Sequence, residues 1–262
     1  MKYSEQIAVR SRAEMDLMRE AGRHTGEILL KLREAARPGV TTGELNEIAV
    51  DELKRRKVNS PFLGYAPGGL PAYPGVICAS VNEEVVHGIP GSRELREGDI
   101  LSIDFGVESG GFHGDSALTI PIGPISQQAK ELIDTTDESL AEGVSQMVMG
   151  RRLSDIGAAV QKKAESGGYS VVRQFVGHGI GRNMHEPPQV PNYGRPGRGQ
   201  RLRVGMVFAI EPMVNMGSEK VRVLDDEWTA VTADGELSAH FEHTVAITDH
   251  GPEVLTRVPG SH

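Results

Sequence analysis

One cysteine, Cys78, stands among 262 residues. That excludes an internal disulfide framework and any zinc site built from several thiolates, and it points to a cytoplasmic chain. Long apolar runs are missing as well. No stretch approaches the roughly 20 residues of a membrane span, and residues 1–20 are charged throughout without the apolar core of a signal peptide. Positive charge is short: 28 Lys and Arg face 36 Asp and Glu, giving a net charge of −8 and a pI near 5.6. Such a balance argues against general nucleic-acid binding. A short basic stretch, residues 182–203, is rich in Gly and Pro and reads as a surface loop. What remains, 38% hydrophobic and 24% charged, is ordinary globular composition, enough for one large domain or two small ones.

What is present is a three-part motif that occurs twice. The first pass reads His87-Gly88-Ile89, then the segment 95–104 ending in Asp104, then 114–120 containing Asp115. The second reads His178-Gly179-Ile180, then 202–211 ending in Glu211, then 241–247 containing Glu242. Order is kept and apolar positions match apolar positions, so His87 pairs with His178, Asp104 with Glu211 and Asp115 with Glu242. A duplicated half folding back on its copy brings all six to one cleft.

Helical signals repeat in the same frame. Ser11-x-x-Glu14 predicts a helix to about residue 36, and Thr41-x-x-Glu44 a second ending near Lys57. In the second half Ser126 is expected to cap a helix broken at Gly150, and Ser154 to cap the next. The seam falls near residues 121–124. We expect one domain, 1–262, with pseudo-repeat halves of about 1–123 and 124–262. The segments 100–105 and 207–211 are short, apolar and strand-like, and each ends in or carries a carboxylate. Burying such a charge is costly without compensation. No basic residue adjoins Asp104 or Glu211 in sequence, which favours metal. Asp104, Asp115, Glu211 and Glu242 carry −4, and two divalent ions carry +4. Oxygen-rich ligation with one imidazole suits Mn²⁺, Fe²⁺, Co²⁺ or Zn²⁺. Other motifs fail: His185-Glu186 runs into Pro187-Pro188, so no metalloprotease HExxH helix forms, and there is no P-loop or GxSxG elbow. His24, His113, His240, His243, His250 and His262 are read as surface or packing residues.

These residues resemble a known family. The string from Ser80 to Pro90 (SVNEEVVHGIP), with Ile103-Asp104-Phe105-Gly106, Gly177-His178-Gly179-Ile180-Gly181, His185-Glu186, Ile210-Glu211-Pro212 and Glu242-His243-Thr244, is similar to the type I methionine aminopeptidases of peptidase family M24, in their compact bacterial form. The likeness runs from about residue 12 to 254. It implies the α/β (α+β) pita-bread fold, a curved antiparallel sheet flanked by paired helices with an internal pseudo-two-fold. Carried over by motif, the metal ligands are Asp104, Asp115, His178, Glu211 and Glu242, with Asp115 and Glu242 shared between two ions. The implied reaction is hydrolytic removal of the initiator methionine from nascent polypeptides by hydroxide held between the ions. His185 hydrogen-bonds the scissile carbonyl, His87 lies near the leaving nitrogen and Glu211 shuttles the proton. The methionine pocket draws on Phe62, Tyr65, Tyr73, Cys78, Met184 and Trp228. The resemblance further implies a cytoplasmic monomer, in at most transient contact with the ribosome, without nucleic-acid or membrane partners. Two alternatives share the scaffold. An Xaa-Pro dipeptidase or aminopeptidase of this fold usually carries a large extra N-terminal domain, whereas about eighty residues precede His87. A catalytically silent binding scaffold typically loses metal ligands, and all five are present.

Overall fold

Each half opens with two helices, and local chemistry explains most of their starts. The computed structural model describes residues 7–258; His262 lies outside them. Helices α1 (Arg12–Ala35) and α2 (Thr42–Arg56) both begin in the expected capping box. The Glu14 and Glu44 carboxylates accept the N–H of Ser11 and Thr41 at 3.0 and 2.7 Å, and the two hydroxyls accept the N–H groups of Glu14 and Glu44 in return. Two otherwise open donors are thereby satisfied at each helix start. Helix α3 (Gln127–Ser145) follows its Ser126 cap, but it stops at Ser145 and not at Gly150. The chain turns there and sends Met147 into the core, fully buried. Helix α4 (Leu153–Ser166) corrects a second expectation. Ser154 lies inside its first turn and bonds both backbone groups of Arg198, while the Asp155 carboxylate takes the N–H of Arg152 at 2.8 Å.

The strands form a curled, eight-stranded antiparallel sheet to which both halves contribute. Its path runs Cys78–Val81, Ile100–Ser109, Phe112–Pro121, Glu242–Thr248, Val207–Ile210, Gly177–Gly179, Glu186–Val190, with Gly251–Val254 paired onto Glu242–Thr248. The strand expected over 100–105 extends to Ser109, because Gly110 and Gly111, at φ +60° and +79°, close a two-residue hairpin onto Phe112. Alternation splits the sheet by face. Leu101, Ile103, Phe105 and Val107 pack against Ile28, Leu32 and Leu45 of α1 and α2. Phe208, Ile210, Val245 and Ile247 pack against Leu140 and Ile156 of α3 and α4. Helices therefore cover one face, and the residues between those apolar positions point to the other.

Two three-stranded sheets accompany the eight-stranded one. Glu84–Val86 pairs with Ala230–Thr232, so a first-half strand meets a second-half one just before His87 and just after Trp228. Ser238–His240 pairs with Met213–Asn215, carrying His240 toward Glu211. No helix among the described residues is long and apolar enough to cross a membrane.

Candidate active site

Strand register collects the acidic residues. Directly opposed residues in antiparallel strands share a face. Cys78, Asp104, Ala117 and Glu242 form one row across four strands, and Thr244, Ala209 and His178 form another. Asp115 lies two residues from Ala117 and Glu211 two from Ala209. All five expected ligands therefore stand on the face that the helices leave free. Thr244 locks the centre of this array: its hydroxyl accepts the Asp115 N–H at 2.9 Å and donates to the Asp115 carbonyl at 2.9 Å.

The donors converge. Ligand atoms of Asp115, His178 and Glu242 lie within 4.8 Å of one another, all buried. His178 Nε2 is 3.5 Å from Glu211 Oε1 and 3.9 Å from Asp115 Oδ2. The other ring nitrogen, Nδ1, is 2.9 Å from the Gly179 carbonyl, where it donates its proton. That bond leaves the Nε2 lone pair facing the carboxylates, as a metal-binding imidazole requires. Asp104 Oδ1, Asp115 Oδ1 and Glu242 Oε1 are buried with no hydrogen-bond partner. Burial pushes all four carboxyls upward in pKa, and their mutual repulsion adds to it for Asp115, Glu211 and Glu242. Burial and nearby His185 hold His178 down at about 3, so it stays neutral and supplies no compensating charge. Orphaned carboxylate oxygens around a neutral imidazole are what divalent cations satisfy; the residues present fit such a group.

The same side chains open onto a cavity of about 630 Å³. Every residue expected at the site borders it: the five acidic and imidazole donors, His87 and His185, and the pocket set Phe62, Tyr65, Tyr73, Cys78, Met184 and Trp228. Cys78, Tyr73 and Trp228 form one apolar cluster with Phe62 against it. Trp228 meets Tyr73 edge-on at 5.1 Å and donates its indole N–H to the Pro71 carbonyl at 3.0 Å. Gly106 explains part of the packing. A Cβ there would come within 3.1 Å of Phe62 and 3.2 Å of Met184, so its glycine lets two walls close onto the strand.

His87 and His185 flank the donors from two sides. His185 lies 4.3 Å, centroid to centroid, from His178, and its Nδ1 is 3.1 Å from the Tyr65 hydroxyl. His87 sits edge-on to Trp228 and Phe175 at 6.0 and 5.3 Å, and its backbone is left-handed, φ +63°. A non-glycine residue held there is strained, and such strain gathers at working sites. Burial, then nearby His185, lowers its pKa to about 4.

Three residues near the site were not read from sequence. Phe175 borders the cavity. Asn192, fully buried, donates to the Glu211 carbonyl at 2.9 Å. His240, assigned to packing or surface, is buried with Nε2 unpartnered, 3.9 Å from Glu211 Oε2. The spacing of two between His240 and Glu242 was the available signal for the last.

Residues 16–249 match the model of metallopeptidase family M24. A methionine aminopeptidase of Clostridium perfringens is 52% identical over 252 residues, spanning 96% of this chain and 99% of that protein. The crystal structure of methionine aminopeptidase from Thermotoga maritima superposes with a TM-score of 0.93 at 42% identity, over 97% of this chain and 100% of that one. An Xaa-Pro dipeptidase from Bacillus anthracis, at 21% identity and TM-score 0.75, shares the fold, and this chain spans 63% of its length. A buried carboxylate–imidazole set on a curled antiparallel sheet, with these likenesses along nearly the whole chain, places it in metallopeptidase family M24, on the methionine aminopeptidase branch.

Proposed function

We propose that this chain removes the N-terminal methionine from nascent proteins and peptides by metal-dependent hydrolysis. One observation carries the reading: the five candidate ligands, with Asp115, His178 and Glu242 buried and Asp104 and Glu211 partly so, open directly into a pocket walled by Phe62, Tyr73, Cys78, Met184 and Trp228. Soft sulfur and aromatic walls suit a thioether side chain. Asp104, Asp115, His178, Glu211 and Glu242 would hold two divalent ions, Co, Mn, Fe or Zn. When bound, these supply Lewis acidity and lower the pKa of water near neutral pH. The reading includes a cytoplasmic monomer acting on polypeptides as they emerge, in transient contact with the ribosome. The acidic balance supports the absence of a nucleic-acid partner. Strands and donors from both halves in one sheet support treating 1–262 as one catalytic domain.

The chain's own groups divide the remaining work. Tyr65 and the turn around Met184 orient His185, which donates to the oxygen of the scissile carbonyl. His87, neutral at pH 7, faces the leaving amide nitrogen. Glu211 accepts a proton from water and returns it to that nitrogen. The pocket walls exclude water around the methionine side chain.

A competition assay tests the assignment. Protein reconstituted separately with Mn²⁺ and Co²⁺ receives equal amounts of Met-Ala-Ser, Leu-Ala-Ser and Ala-Pro-Ser, and released amino acids are quantified by mass spectrometry. Methionine alone is the expected product. Alanine from Ala-Pro-Ser would move the chain to the Xaa-Pro branch, and no release under either metal would revive the silent scaffold. A second expectation separates His87 from the ligands. His87→Ala should lower kcat on the order of 10²-fold while Mn²⁺ affinity by calorimetry stays unchanged. Loss of Mn²⁺ binding would make His87 a ligand.

A further inference from the structure

The tight turn 183–186 carries both Met184 and His185 into the cavity, yet the partner of His185 Nδ1 is the hydroxyl of Tyr65, a residue 37% exposed. Something behind the turn must hold it. The Glu186 carboxylate does so from two sides. Its Oε1 accepts the Asn183 N–H at 3.1 Å, closing the turn on itself, and its Oε2 takes the Arg10 guanidinium. Both members of this ion pair are nearly buried, with side chains 8% and 12% exposed.

Arg10 belongs to the segment that leads into α1, and that segment is fixed independently. Ile7 packs into the second-half core. The Arg10 N–H donates to the Gly205 carbonyl at 2.8 Å, and the guanidinium also reaches the Ile180 carbonyl at 3.4 Å. Two glycines make the room: a Cβ at Gly181 would lie 1.9 Å from the guanidinium, and one at Gly205 would lie 2.9 Å from the Arg10 carbonyl oxygen. An ion pair so enclosed holds its carboxylate in one place, because breaking it strands a charge away from water.

We propose that Arg10 and Glu186 are positioning residues for the reaction, an ion pair through which the segment before α1 fixes where His185 stands. The inference rests on the role given to His185 above. Neither residue touches substrate. Each acts through the turn backbone, and displacement of a group by about 1 Å costs on the order of a hundredfold in rate.

The experiment is a double-mutant cycle on Mn²⁺-loaded full-length protein with Met-Ala-Ser as substrate, comparing Arg10→Ala, Glu186→Gln, His185→Ala and each first change combined with His185→Ala. Arg10→Ala and Glu186→Gln should each lower kcat/KM about tenfold, chiefly through kcat, with Mn²⁺ affinity by calorimetry unchanged. Combined with His185→Ala, neither should lower kcat/KM further, because the group they position is gone. Losses that multiply, or unchanged kcat in folded single variants, would overturn the proposal. Where Arg10→Ala fails to fold, Glu186→Gln carries the cycle, since it keeps the shape and the acceptor for Asn183. If His185→Ala itself turned over normally, the role of His185 would fall first and the proposal with it.

Discussion

Asp104→Asn and Glu211→Gln are expected to lower kcat/KM on the order of 10³-fold or more and to abolish uptake of at least one divalent ion, measured by calorimetry with Mn²⁺. Both substitutions preserve shape, so packing on the sheet is not the cause. Each removes one ionisable carboxyl from a set whose pKa values burial raises, with the Asp104 charge adding to the rise at Glu211. The cation-free protein should therefore respond in the opposite sense to activity. With one repelling charge gone, its melting temperature in EDTA should rise above that of the parent chain. A core residue of purely structural value would lose stability on substitution. Normal turnover with full Mn²⁺ uptake in either variant would end the ligand assignment, and a lower melting temperature in EDTA would show that the carboxylate holds the fold.

The readable part of the site was the part that obeys a repeat. Asp104, Asp115, Glu211 and Glu242 occupy matched frames, and period-two alternation in 100–109 and 207–210 already separates them from Ile103, Phe105, Phe208 and Ile210, which face the helices. Capping boxes placed α1 and α2 because the Ser11 and Thr41 hydroxyls bond within their own first turn. Ser154 misled because its hydroxyl prefers a distant backbone, that of Arg198, and only tertiary structure reveals such a competitor. His240 was missed for a related reason. Its environment is set by Met213 on one side and Glu211 on the other, neither near in sequence. Long-range partners explain the remaining omission too: Arg10 and Glu186 are 176 positions apart, and neither lies in a motif pointing to the other.

The placement of these groups makes the site unstable by itself and stable when filled. Four carboxyls share one face of the sheet with no Lys or Arg among the described residues that line the cavity, and the imidazoles beside them, His178 and His240, are pressed down to about 3 by burial, so they remain neutral. The apo site must therefore take up protons or divalent ions. Function needs the second, and the fold holds the carboxyls in place by the register of strands whose opposite face is apolar.

Stability without cations should consequently fall as pH rises above neutrality. The four carboxyls have folded-state pKa values above their unfolded values near 4, so the native state binds the extra protons; their contribution is complete below about pH 4 and is lost as pH climbs through the raised values. The buried histidines act in the other direction. His87, His178 and His240, lowered to about 4, 3 and 3, contribute stability above their unfolded pKa near 6.5 and lose it as pH falls. The two groups oppose each other between about pH 4 and 6.5, and from about 6.5 to 8.5 the carboxyls act alone. In that upper window the melting temperature in EDTA should decrease with pH. Saturating Mn²⁺ replaces the protons, so the loaded protein should show little slope, and the gap between loaded and empty protein should widen with each pH step. At a thousandfold excess over Kd the gap corresponds to about 4 kcal/mol. Differential scanning fluorimetry at pH 6.5, 7.5 and 8.5, with EDTA and with Mn²⁺, measures both slopes. The difference between them cancels every titrating group outside the site. A gap that stays constant across the three values would mean that these carboxyls are already ionised in the empty protein, held by something other than protons or cations.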